Sequence, residues 1–296
     1  MVTAPSVVVS TGRSSSSGSS FSSRPGLMLS GVVVAGMAAA AALGLLVPDL
    51  YGDPLSVASM MRGYDVVTLV AAVPTLVLTL VGPLRRSPRA GLLRTGVLVY
   101  AYYTYALASV VLGFTPVFLL HVLITAAALA ALPLTLAGPD VRPALAQWFP
   151  RRSVAVVLGV LAVSLGAMWV TEALRASAGG YVPVGSALVE PANLVQVAMV
   201  LDLVVLVPAY GLAAVLLWRR SHWAAVAAAA VLVSGTLHQF SYMIALVFQQ
   251  AADVPGASWD AVEPVIATVF VAATAALLAA CLSPASPSSG GLEPLT

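Results

Sequence analysis

Asp202 is the residue of this chain best placed to do chemistry. It stands inside the apolar run VQVAMVLDLVVLVPAYGLAAVLLW, with no basic residue within a helical turn. A charge at the centre of a bilayer costs at least about 2.5 kcal/mol. Such an aspartate therefore binds a proton or cation, or pairs with a group from another segment. Other polar residues fall at related depths when helical rise is counted from arginines. Asp202 lies 17 residues before Arg219, about 25 Å. Asp65 lies 20 residues before Arg85, about 30 Å, and Glu172 lies 20 residues after Arg152. His238 follows Arg220 by 18 residues. Gln196, Gln239, Tyr242 and the tyrosines Tyr102, Tyr103 and Tyr105 share this layer, and His121 opens another apolar run.

The opposite half is almost free of polar groups. The pattern predicts a cavity open to the outer side, lined by the second, third, fourth, sixth and seventh spans. Its candidate binding residues are Arg62, Asp65, Tyr102, Tyr103, His121, Gln196, Asp202, His238, Gln239 and Tyr242. Several have a plainer reading. Arg62 and Asp65, three apart at an expected helix start, fit a dipole-stabilised cap with a snorkelling partner. Glu172 and Arg175 fit a pair on one helix face. His238 reads more readily as a hydrogen-bonded bundle residue than as a ligand.

Stronger catalytic signals are missing from the sequence. It has no Gly-rich phosphate loop, no HExxH, no DxxD acid pair and no GxSxG. Asp260 and Glu263 read as the acidic start of the last span. His121 and His238 on facing helices would be one geometry for an axial haem pair. The sequence gives that pair no further support, and no cofactor or metal is expected. Cys281 is the only cysteine, so no intrachain disulfide or multi-thiolate site can form.

The elements that must position these residues are apolar helices. The 296 residues are 60% hydrophobic and 8% charged, with a mean hydropathy of +1.01. Soluble domains carry about 25% charged residues. The fold class expected is all-α: a polytopic transmembrane helix bundle of eight spans. They cover roughly 27–48, 64–83, 95–114, 117–137, 153–174, 194–218, 223–249 and 262–282. Each is near the roughly 20 residues a crossing requires, and unpaired backbone groups cannot stay in lipid. Residues 1–26 are Ser-rich and read as a disordered cytoplasmic tail, 27–283 as the membrane domain, and 284–296 as a second short tail. A cleaved signal peptide is the alternative for the first span, which its length disfavours. Thr115-Pro116 leaves almost no connection between spans three and four, which must be antiparallel neighbours.

All 13 basic residues are arginine, which points to a GC-rich bacterial genome. Eleven fall on one side if the N-terminus is inside; Arg62 and Arg175 are the exceptions. Both tails are then cytoplasmic, in a bacterial cytoplasmic membrane. No basic stripe suggests nucleic acid. The expected partners are the lipid bilayer and a small ion, solute or lipid ligand, with homo- or hetero-oligomers left open.

Two stretches resemble each other: YDVVTLVAAVPTLVLTLVGPLRRS from Tyr64 and LDLVVLVPAYGLAAVLLWRRS from Leu201. They suggest parallel four-helix repeats over 27–137 and 153–282. Composition alone is the other explanation.

MRGYDVVTLVAAVP, YAYYTYALA and FTPVFLLHVLI together resemble an uncharacterised family of bacterial polytopic membrane proteins. Its second span opens with an Arg-Gly-x-Asp-Leu-Val-Thr-Leu pattern, and its third is tyrosine-rich. The resemblance covers spans two to seven and implies the fold. It implies no activity, and both His121 and His238 depart from the family pattern.

Three functions fit. The first is small-solute or ion binding and transport, with Asp202 as the site, Asp65 at its mouth and Arg62 modulating entry. The second is a membrane-embedded enzyme on a lipid or isoprenoid substrate, disfavoured by the missing diphosphate motif. The third is an accessory or sensor subunit that would expose a small-residue stripe such as Ala38–Ala42 or Ala224–Ala230. Access separates the first two: a transporter needs polar paths to both sides, an enzyme a lateral opening to lipid.

Overall fold

The computed structural model describes residues 24–52, 54–81, 87–137, 143–179, 187–259 and 261–281. The tails expected over 1–26 and 284–296 lie outside them, apart from Arg24–Gly26. The described residues form helices and no strand. In order these are α1 (Arg24–Leu46), α2 (Leu55–Val67), a π-helical turn (Thr68–Ala72), α3 (Val73–Leu80), α4 (Pro88–Val111) and α5 (Phe118–Leu136). There follow α6 (Arg151–Gly179), α7 (Ala192–Leu201), a second π turn (Asp202–Leu206), α8 (Val207–Trp218), α9 (Ala224–Ala251) and α10 (Glu263–Ala280).

Seven helical segments are long and apolar enough to cross a membrane, counting Leu55–Leu80 and Ala192–Trp218 as one each. The 24-residue α4 is outside that set because Arg89, Arg94 and its tyrosines lower its hydropathy. It packs between α5 and α9, with Tyr100, Tyr103 and Tyr105 buried. Polar side chains at bilayer depth are tolerated where they face protein rather than lipid. The tight turn after α4 brings α5 against it, as the short connection requires.

One core cluster joins Leu92 near the start of α4, Val154 near the start of α6, Leu217 at the end of α8, Ala224 at the start of α9 and Ala280 at the end of α10. These helix ends therefore share one end of the bundle. Ala146 donates its N–H to the Ala280 carbonyl at 2.8 Å, which seats the end of α10 there. Gly26 in α1 abuts Leu134 in α5, whose neighbour Leu136 packs on the same cluster. Both ends of the described chain thus reach one face of the bundle.

The second span begins earlier than the hydropathy suggests, at Leu55 after Pro54. Ser59 bonds the Leu55 carbonyl at 2.6 Å, so its hydroxyl is satisfied within the helix. Arg62 and Asp65 are consequently inside the helix and not at its start, which removes the capping role for Asp65. Asp65 is instead buried, and Tyr51 donates to its Oδ2 at 2.6 Å. Tyr51 lies in the α1–α2 connection. Burial first, and the adjacent carboxylate second, push its hydroxyl well above the usual tyrosine range, so it remains a donor. Tyr51→Phe leaves Asp65 with no such donor and should cost about 1–3 kcal/mol in thermal or denaturant unfolding of the detergent-solubilised protein.

The π turns explain the internal similarity. Each opens six residues before a proline, Pro74 or Pro208, and in the sequence an Arg-Arg pair begins eleven residues after that proline. A proline lacks the N–H that would bond the carbonyl four residues back and crowds that carbonyl. A wider turn relieves the crowding. Pro133 sits inside α5 without one, so proline alone does not force it. In this register Asp202 corresponds to Thr68, and Asp65 to Met199. The two aspartates that suggested the repeat do not occupy equivalent positions.

Candidate functional site

Asp202 is the first residue of the second π turn and is buried. Its Oδ1 accepts a hydrogen bond from the Tyr103 hydroxyl of α4. Its Oδ2 accepts from the indole Nε1 of Trp169 in α6, at 2.8 Å. Both carboxylate oxygens are met by a donor. The partner that Asp202 requires is thus a pair of neutral donors from two other helices.

The corresponding Thr68 makes a parallel contact. Its hydroxyl lies 3.0 Å from the Tyr100 hydroxyl, which is 3.0 Å from Ser241 of α9. Tyr100 and Tyr103 are three apart on α4, so one helix supplies a tyrosine to each π turn.

Asp202 faces a cavity of about 600 Å³ bounded by α2, α6, α7–α8, α9, α10 and the segment before α7. Two further carboxylates line it, Glu190 and Glu263. Aromatic rings line it as well: Tyr64, Trp169, Tyr210, Tyr242 and Phe270. No arginine is among the described residues that line it. Gln239 donates to Glu263 Oε2 at 2.6 Å. The ring of His238 packs 4.9 Å from Tyr100 and 4.8 Å from Tyr103, and its buried Nε2 has no hydrogen-bond partner among the described residues. Gly235 is needed beside it, because any side chain there would strike the Phe270 ring.

Gln249 fixes the segment that carries Glu190. Its Oε1 accepts from the Val189 N–H at 2.9 Å, and its Nε2 donates to the carbonyls of Val189 at 3.0 Å and Ser56 at 2.8 Å. One fully buried side chain thereby ties α9 to α2 and to the loop. Gln249→Leu orphans these backbone groups. It should cost about 1–3 kcal/mol and increase hydrogen exchange at residues 187–190, read by mass spectrometry.

Of the ten candidate residues, the cavity gathers Asp202, His238, Gln239 and Tyr242, and Tyr103 reaches it through Asp202. The others lie elsewhere. Asp65 pairs with Tyr51, and Arg62 shares its helix without lining the cavity. Tyr102 packs in the apolar core near α1 and α5, and Gln196 is exposed. His121 is buried against Tyr105, with ring centroids 5.3 Å apart. Because α4 packs against both α5 and α9, His121 and His238 contact different tyrosines of it. They do not face each other as an axial pair would. The lining helices are α2, α6, α7–α8, α9 and α10, so α4 and α5, which the sequence placed in the lining, are replaced there by α6 and α10.

Six of the acidic and aromatic lining residues were missed: Tyr64, Trp169, Glu190, Tyr210, Glu263 and Phe270. Trp169 had a signal: it lies 17 residues after Arg152, the same count that separates Asp202 from Arg219. An indole N–H at the depth of an unpaired acid is a ready donor. Glu263 does open its helix, and also faces the cavity. Glu190 and Tyr210 had none, since loop placement and rotation about α8 decide their direction. Glu172 and Arg175 pair at 3.3 Å, with the arginine side chain 65% exposed, as their spacing predicts. Ala224, Ala225, Ala228 and Ala229 are buried inside the bundle, so that stripe is not a free surface.

Comparison with protein-family models, with curated proteins and with solved structures finds no match to this chain.

Proposed function

We propose that the protein binds a small organic cation in the cavity at Asp202, as part of solute binding or transport. The observation that carries this is the cavity's lining: three carboxylates and five aromatic rings, with no described arginine. Carboxylates attract a cation, and aromatic faces hold an ammonium group within about 6 Å through their quadrupoles. An anionic solute finds no matching charge there. We further read the chain as eight crossings, α4 included, with both tails at the arginine-rich, cytoplasmic end. The matched π turns support an ancestral duplication, whose equivalent positions are Thr68 and Asp202.

Calorimetric titration of the purified protein tests the reading. Tetramethylammonium should bind saturably, while tert-butanol of similar shape and inorganic phosphate should not. Equal heats for tetramethylammonium and tert-butanol would defeat it.

One observation favours a second reading, an enzyme acting on a lipid. Helix α6 packs on α8 and α10 packs on α9, but α6 and α10 do not form a packed pair. We read the seam between them as a sideways opening of the cavity. Turnover of an amine-bearing lipid by the purified protein would support that reading, and binding without turnover would exclude it.

A further inference from the structure

A second, apolar crevice adjoins the cavity. It has a volume of about 110 Å³ and runs between α6, α9 and α10. Val157, Leu158, Leu232 and Ala273 form its walls, and Ser153 is its one polar residue. Leu161 and Phe270 line both spaces, so the crevice continues the cavity toward the arginine-rich end. From Leu161 to Ser153 the rise along α6 is about 12 Å. Val157 is 40% and Val269 43% exposed, so the crevice opens onto the surface that faces lipid.

The size bears on the occupant. A dry cavity of about 150 Å³ lined by apolar side chains accepts a benzene-sized molecule. A crevice of 110 Å³ holds a stretch of one chain, with no room for two acyl chains side by side. Charge bears on the other end of the ligand. The shared residues lead directly into a space lined by Asp202, Glu190 and Glu263 and by aromatic rings.

We infer that the ligand is a single-chain amphiphilic amine that enters from the bilayer between α6 and α10, placing its ammonium group beside Asp202 and its hydrocarbon tail in the crevice. The inference rests on the cation-binding reading above and adds a tail site to it. Lateral entry follows from the geometry: the tail stays in an apolar medium throughout, and only the head crosses into the polar cavity. Leaving lipid for the crevice brings the tail no gain from dehydration, since lipid is equally apolar, so its affinity there comes from van der Waals fit to the crevice walls. The crevice therefore selects by shape, and the carboxylates select by charge.

The test uses the full chain in nanodiscs of phosphatidylglycerol, which contains no amine. The probe is dodecyltrimethylammonium with a photoreactive diazirine at the tail end. Labelling should map to residues 153–161 of α6 and 269–273 of α10. Excess tetramethylammonium should suppress it. Ala273→Phe fills the crevice and should weaken the dodecyl probe at least ten-fold more than it weakens tetramethylammonium, in protein that elutes as wild type in gel filtration. Labelling confined to other lipid-facing helices, or equal weakening of both probes, would overturn the tail site while Asp202-dependent tetramethylammonium binding still stood. Failure of both probes to bind would overturn the cation reading itself, and the tail site with it.

Discussion

Asp202→Leu should lower stability by about 2–4 kcal/mol and abolish binding of tetramethylammonium. The stability loss has a specific origin. The Tyr103 hydroxyl and the Trp169 indole N–H each donate to one Asp202 oxygen. Removing the acceptor orphans two buried donors, each worth about 1–3 kcal/mol when unsatisfied. Relief from burying the carboxylate offsets part of that cost. Removing the donors as well should then recover stability, because replacing all partners by apolar groups is nearly neutral. Asp202→Leu combined with Tyr103→Phe and Trp169→Phe is therefore expected to be more stable than Asp202→Leu alone by at least about 1 kcal/mol. Binding should not recover with it. Thermal unfolding of wild type, the single variant and the triple variant in one detergent measures the first effect, and titration measures the second. A triple variant no more stable than the single one would mean that the two donors are satisfied elsewhere.

Gly63→Ala should destabilise the bundle by about 1–3 kcal/mol, and Gly63→Val should prevent its assembly. At Gly63 the backbones of α2 and α9 meet. A Cβ built there would lie 2.5 Å from Ala245 Cα and 2.6 Å from its N. Backbone cannot swing aside as a side-chain tip can, so the helices must separate. Close approach at small residues is a main source of attraction between helices in lipid. The same packing places Gln249 of α9 beside Ser56 of α2. Widening the gap therefore also loosens the segment that carries Glu190. Yield of monodisperse protein and unfolding midpoints read the effect. Gly63→Ala with wild-type stability would contradict the close approach.

These two positions also show what the sequence could convey. The apolar runs located nearly every helix, because backbone hydrogen bonding in lipid leaves few alternatives. Asp202 stood out because a lone acid in such a run needs an explanation. Its partners could not be read, because Tyr103 and Trp169 come from helices whose rotation is fixed only by packing. The arginine-based depth scale placed residues along the membrane normal but said nothing about direction around each helix. That gap is why Gln196 and Tyr102 were grouped with Asp202 although they point elsewhere. The early start of α2 was hidden by Ser56, Ser59 and Arg62, which lower hydropathy without breaking a helix. Gly63 beside Arg62 looked like a motif element, and the structure gives it a packing reason.

An ammonium group at Asp202 lies beside Trp169, whose indole already bonds that carboxylate and so serves as a built-in reporter. The chain has five tryptophans. A variant that keeps only Trp169, in phosphatidylglycerol nanodiscs, should change its emission saturably as tetramethylammonium is added. With Asp202→Asn in the same background, the apparent affinity should fall at least ten-fold, equivalent to about 1.4 kcal/mol of lost charge interaction. An unchanged emission with Asp202 intact, or an equal response in the Asn variant, would contradict the account.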